Sequence, residues 1–105
     1  MACSVRIQPT ANRELENIIS YLLAFGPHTA KSFLDGWEQM LKELRDGVVK
    51  HRLSRFSVLA RLGYHTILVN EYIVLYFKED NAVVIAHIFH QSQDYASIVI
   101  NGLQD

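Results

Sequence analysis

The residues of this 105-residue chain best suited to proton-transfer chemistry lie in its second half. They are two histidines and a tyrosine: His65, His90 and Tyr95. Imidazole changes charge near neutral pH and a phenol can donate or orient a proton, so such groups beside cations can perform acid–base catalysis. Paired histidines on strands are also ordinary polar neighbours across a sheet, and this structural role is the alternative for both of them.

A basic segment precedes these groups. Residues 45–61 carry a net charge of +4, although the whole chain has a formal charge of −1. Clustered cations raise the local affinity for phosphate whatever the net charge of the protein. The segment is therefore a candidate phosphate-binding surface, with a solvated connector as the alternative. The candidate ligands in it are Lys50, Arg52, Arg55 and Arg61.

The composition excludes several classes of protein. Half of the residues are hydrophobic and 20% are charged, which is typical of a globular domain rather than of a disordered chain. Cys3 is the single cysteine, which excludes an internal disulfide and a cysteine-based zinc site. Neither a ligand spacing nor a glycine-rich phosphate loop is found, so we expect no metal and no cofactor. Without a membrane span or a signal-peptide pattern, we expect one cytoplasmic domain over residues 1–105.

Hydrophobic periodicity predicts the elements of the first half. Residues 4–8 alternate between polar and apolar, which predicts a strand that ends at Pro9. A helix should follow, with Thr10 as its N-cap and Gly26 at its end. Its predicted apolar stripe consists of Leu15, Ile18, Ile19, Leu22 and Leu23. A second helix is predicted over 27–46, and the short connection favours an antiparallel hairpin.

After the basic segment the pattern becomes that of strands. Segments 65–69, 72–77 and 82–90 are rich in β-branched and aromatic residues and predict an antiparallel meander. The middle segment is apolar on both faces, so we expect it to be central and covered by helices on one side and partly on the other. A short terminal helix is expected from Asp94 onward. The order β-α-α-β-β-β predicts an α+β fold in which an antiparallel sheet packs against a helical hairpin.

Six segments, taken in order, carry a resemblance to a known family. They are 5–11, 15–22, 62–65, 72–77, 84–90 and 94–95. Together they resemble the toxins of the RelE/ParE superfamily of bacterial type II toxin–antitoxin systems. The resemblance implies a RelE/ParE-like fold and a small toxin that arrests growth until a cognate antitoxin neutralises it.

The resemblance implies one of two activities, because the fold is shared by both. RelE-like members are endoribonucleases that cut mRNA on the ribosome, and ParE-like members inhibit DNA gyrase without catalysis of their own. The nuclease is the preferred interpretation, because the basic segment and the terminal group around His90 are retained. In it, His65 and His90 share proton transfer and Tyr95 orients the ribose, while residues 45–61 hold the RNA backbone.

The absence of arginines that RelE-like nucleases commonly carry favours the second activity, gyrase inhibition. The positions that commonly hold arginines or other basic residues in RelE-like nucleases are here His65, His87 and the segment 91–94. Histidine is charged only part of the time at neutral pH, so these changes weaken phosphate binding. A third alternative is an inactive member that retains antitoxin binding.

The resemblance also implies the partners. They are the antitoxin, together with the ribosome and mRNA, or with gyrase in the alternative; no membrane is expected. An amphipathic helix or strand of the antitoxin should cover the helical hairpin or a sheet edge, because a small domain leaves apolar area outside its core. Tyr21 or Trp37 is a candidate contact at such an edge. The oligomeric state is open between a homodimer and a heterotetramer with the antitoxin.

Overall fold

The first half of the chain forms a strand and two helices, as predicted. The computed structural model describes residues 4–46 and 57–104. The first elements are β1 (Ser4–Ile7), α1 (Pro9–Phe25) and α2 (Pro27–Asp46). Pro9 is the first residue of α1, where its missing N–H costs no helical hydrogen bond. Gln8 therefore occupies the N-cap position, without a side-chain cap, and the prediction of Thr10 as the cap is wrong.

The second half contains the predicted meander between two shorter helices. Its elements are α3 (Ser57–Arg61), β2 (His65–Val69), β3 (Tyr72–Glu79), β4 (Ala82–His90) and α4 (Tyr95–Gln104). The terminal helix is confirmed, whereas α3 lies in the part of the basic segment 45–61 for which no helix is predicted. Asn70 and Asp80 begin the two tight turns with φ values of 53° and 55°, a conformation that these residue types tolerate better than most.

The sheet has the order β1-β4-β3-β2, so the predicted central position of β3 is confirmed. β1 pairs in parallel with β4, but only over residues 82–85 of that strand. Beyond Ile85 this side of β4 has no strand partner among the described residues. The register also shifts between Leu75 and Tyr76, which pair with His87 and Ile85 and leave Ala86 as an extra residue in β4.

The main core lies between the helical hairpin and one face of the sheet. Phe33, Trp37, Tyr72 and Tyr76 are its largest side chains, and each is at most 6% exposed. Leu23 is 55% exposed, so its predicted place in the apolar stripe of α1 is wrong. Gly36 permits the close approach of α2 to the sheet, because a Cβ at this position would lie 3.2 Å from Cγ1 of Val69.

A smaller core covers the opposite face of the sheet. Leu59 of α3 and Val99 of α4 pack there with Leu75 and Phe89. The expected partial cover of this face is therefore confirmed. In the part of the chain that the structure describes, no helix is both long enough and apolar enough to cross a bilayer.

Candidate functional site

His90 is held in one orientation at the end of β4. Its Nδ1 accepts a hydrogen bond from the backbone N–H of Ser92 at 3.1 Å and lies 2.7 Å from the Ser92 hydroxyl. A nitrogen that accepts from a backbone N–H carries no proton, so the neutral ring has its proton on Nε2. That Nε2 lies 3.6 Å from Oε2 of Glu71, and the ring meets Tyr72 edge to face at 5.4 Å. The imidazole therefore faces a carboxylate.

His65 has a different environment at the start of β2. Its ring stacks on Tyr76 with centroids 5.0 Å apart and an angle of 16° between the planes. Tyr76 is only 2% exposed, and this burial raises the pKa of its phenol to about 12. The His65 side chain is thus half-buried against the main core rather than placed in an open cleft.

The register of the sheet separates the two histidines. His65 pairs with Tyr76 on one side of β3, and His90 pairs with Tyr72 on the other side. Four residues of strand span about 13 Å, and the two rings pack on tyrosines at opposite ends of that span. The structure therefore does not bring together the two histidines that were predicted to share proton transfer at one phosphate. A separate role for either histidine stays a prediction.

The remaining predicted site residues lie at the edges of what the structure describes. Arg61 is exposed and ends α3, and the turn 62–64 joins it to His65 rather than to His90. Tyr95 is the first residue of α4, but its side chain lies outside the described residues. The other three candidate phosphate ligands, Lys50, Arg52 and Arg55, also lie outside them. Phosphate binding by the basic segment stays a prediction.

His87 is semi-buried, as expected, and it faces a carboxylate from α1. Its Nδ1 lies 3.5 Å from Oε1 of Glu14, and both side chains are 23% exposed. Among the described residues this buried nitrogen has no hydrogen-bond partner. The same Glu14 oxygen accepts the backbone N–H of Ile88 at 3.1 Å. Glu14 thus caps the side of β4 that β1 leaves unpaired.

A groove, here called the hairpin groove, runs between the helical hairpin and the β2–β3 turn. Its larger cavity is about 470 Å³ and its smaller one about 200 Å³. The larger is lined by Leu22, His28, Thr29, Ser32, Phe33, Asn70, Glu71 and Tyr72. The smaller is lined by Tyr21, Leu22, Phe25, Thr29, Glu71, Tyr72 and His90. The shared lining residues make the two cavities one continuous surface.

Two exposed aromatic side chains flank the hairpin groove. Tyr21 is 58% exposed and Phe25 is 68% exposed, and their rings meet edge to face at 5.0 Å. Sequence reasoning named Tyr21 as a candidate contact but missed Phe25 and Glu71. The available signal was an aromatic pair at i and i+4, a spacing that brings side chains together on a helix. Trp37, the other candidate, is 5% exposed and belongs to the core.

Comparisons of the sequence and of the fold with known proteins both find toxins of type II toxin–antitoxin systems. The family model described as the ParE toxin of the type II toxin–antitoxin system parDE matches residues 5–95. The fold is similar to a chromosomal ParDE system from P. aeruginosa, with a TM-score of 0.64, 17% identity and coverage of 85% of this chain and 96% of that chain.

A second solved structure is also similar. It is the toxin–antitoxin complex RelBE2 from Mycobacterium tuberculosis, with a TM-score of 0.57, 20% identity and coverage of 86% of this chain and 99% of that chain. No curated protein matches the sequence. At these identities the two structures show the fold, which confirms the predicted arrangement, and the family model covers most of the chain.

Proposed function

This chain belongs to the ParE toxin family of type II toxin–antitoxin systems, and we propose that it arrests growth by binding DNA gyrase, without catalysis of its own. The observation that carries this choice is the separation of His65 from His90 along β3. Cleavage of RNA through its 2′-hydroxyl requires a base, an acid and cations around a single phosphate. The two imidazoles lie too far apart to serve one such phosphate.

The carboxylate of Glu71 beside His90 also argues against RNA cleavage. Glu71 presents its carboxylate 3.6 Å from Nε2 of His90, where a phosphate bound to that nitrogen would have to lie. Like charges a few ångströms apart repel one another. His87 likewise faces Glu14, so its charge, when present, is balanced by a neighbour instead of being offered to a ligand. These contacts favour a protein target over an RNA target.

The exposed aromatic surface supports binding as the mode of action. Tyr21 and Phe25 lie beside a groove whose buried lining residues are Leu22, Phe33 and Tyr72. Exposed apolar patches on small proteins commonly mark interaction surfaces, and aromatic residues are enriched where binding energy concentrates. Membership in the family implies an antitoxin partner. We infer that gyrase is the target from the resemblance to ParE-like toxins.

A supercoiling assay tests the proposal. Purified toxin is added to gyrase, relaxed plasmid and ATP, and in parallel to ribosomes programmed with mRNA. We expect loss of supercoiling and gyrase-dependent breaks in the plasmid, with the mRNA intact. Cleaved mRNA with unaffected supercoiling would instead establish the RelE-like nuclease. Failure in both assays, without growth arrest on expression, would identify an inactive member that retains antitoxin binding.

A further inference from the structure

We propose that the smaller cavity of the hairpin groove is a receptor for an arginine side chain of the antitoxin. This cavity, here called the aromatic pocket, is defined by Tyr21, Phe25, Glu71, Tyr72 and His90. The inference goes beyond the proposed action on gyrase, because it concerns the partner that neutralises the toxin. It rests on the shape and charge of the pocket.

Three aromatic rings supply the first part of the argument. Tyr21 and Phe25 stand on successive turns of α1, and Tyr72 lies across from them at the start of β3. A guanidinium group within about 6 Å of an aromatic face is attracted by the negative charge of the ring face. Since Tyr21 and Phe25 are more than half exposed, their faces are accessible to an incoming side chain.

Oxygen atoms converge on the same place. Burial is the main cause that raises the pKa of Tyr72, and the neighbouring Tyr21 and Glu71 raise it further by charge repulsion. The Tyr72 phenol therefore lies near both Tyr21 and Glu71, which line the same pocket. Among the residues lining this pocket, Glu71 is the only carboxylate, and none is a lysine or an arginine. The pocket is thus complementary to a cation and not to a phosphate or a carboxylate.

His90 leaves this charge available. Because its Nδ1 accepts from the backbone N–H of Ser92, the ring turns its Nε2 towards one oxygen of Glu71. The Glu71 side chain is 72% exposed, so one carboxylate oxygen can meet His90 while the other meets a ligand. Arginine suits such a site better than lysine, because its planar group stacks on aromatic rings and also pairs with a carboxylate.

The larger cavity indicates how the arginine is presented. Leu22 and Tyr72 line both cavities, and Phe33 adds an apolar wall to the larger one. An amphipathic helix can place an apolar side chain in one cavity and an arginine in the next, because residues one turn apart lie on the same face. We therefore assign the hairpin groove to an antitoxin helix that carries this pair.

Peptide binding to the full-length toxin tests the assignment. The probe is a capped helical peptide of about 15 residues, composed of alanine and glutamine with one leucine and one arginine a turn apart. The comparison peptide has citrulline, which is neutral and of the same shape, in place of arginine. Binding is followed by changes in the amide NMR signals of the ¹⁵N-labelled toxin, which give both the dissociation constant and the location.

We expect the arginine peptide to shift the signals of Phe25, Glu71 and Tyr72 and to bind about tenfold more tightly than the citrulline peptide, because the exposed carboxylate and the aromatic faces each contribute about threefold. In Glu71→Gln the preference for arginine should fall to about threefold, the share that the aromatic faces supply. Glu38→Gln, an exposed position that lines neither cavity, is the matched control and should keep the full difference. The NMR spectrum of each variant also reports whether it is folded.

Three results would overturn the inference. They are equal affinity for the two peptides, a preference for arginine that is undiminished in Glu71→Gln, and either no binding or signal changes outside the groove. Phe25→Ala provides a second check, since loss of one aromatic face should weaken the arginine peptide about threefold. A toxin that fails these tests but still inhibits gyrase would overturn the arginine receptor alone.

Discussion

Glu14 offers a direct test of how the helical hairpin is attached to the sheet. Its Oε1 accepts the N–H of Ile88, a residue that is 2% exposed, and it also faces His87. A buried N–H that loses a charged acceptor costs about 1.5–3 kcal/mol, and the partial exposure of the carboxylate favours the lower part of that range. We therefore expect Glu14→Ala to lower the free energy of unfolding by about 2 kcal/mol.

Urea denaturation of three variants measures this contribution. Glu14→Gln retains an acceptor oxygen but loses the charge, so it should cost about 1 kcal/mol. Glu16→Ala, an exposed position on the same helix, should stay within about 0.5 kcal/mol of the unmodified protein. If Glu14→Ala were no more costly than Glu16→Ala, the proposed capping of β4 by Glu14 would be refuted.

Three further changes test other parts of the structure. Gly36→Ala should raise the free energy of unfolding, measured by urea denaturation, by less than ~0.5 kcal/mol, whereas the same change at an open helix position gives ~1 kcal/mol. The reason is that the added methyl group meets Val69, and the full gain would contradict this packing. Burial raises the pKa of Tyr76 to about 12, so its contribution to stability is complete below pH 10 and is lost as the pH rises towards 12. The free energy of unfolding should fall with pH across that range, and Tyr76→Phe should make this slope smaller. An unchanged slope would contradict the raised pKa of Tyr76. Phe25→Ser should leave the free energy of unfolding within about 0.5 kcal/mol, because the ring is 68% exposed, and a larger loss would place Phe25 in the core.

Most of the fold follows from local sequence signals. Gly26 followed by Pro27 separates two helices with apolar faces, and the polar turns at 70–71 and 80–81 separate three strands. These patterns predict the elements because helices and strands repeat with different periods. Contacts between segments that are distant in the sequence cannot be predicted from such local patterns. Neither the parallel pairing of β1 with β4 nor the reach of Glu14 to Ile88 has a local signal.

The sequence is sufficient to place the two histidines apart, but only when the register of the pairing between the strands is worked out. A turn of two residues at 70–71 places His65 opposite Tyr76, and the next turn brings His90 close to Tyr72. Neighbouring strands in a meander run in opposite directions, so residues two strands apart meet only when their positions along the middle strand coincide. The hairpin groove could not be found this way, since it depends on how closely α1 and α2 approach the β2–β3 turn.

The capped side of β4 also bears on how copies of this toxin meet one another. An unpaired strand border is a template for joining a second chain, which is a common route to aggregation. Here the outward N–H groups of Ile88 and His90 are already occupied by the side chains of Glu14 and Gln93. Another strand can join there only by displacing both side chains, so this part of β4 resists self-assembly, and the outer borders of β1 and β2 are the unpaired borders that remain in the described sheet.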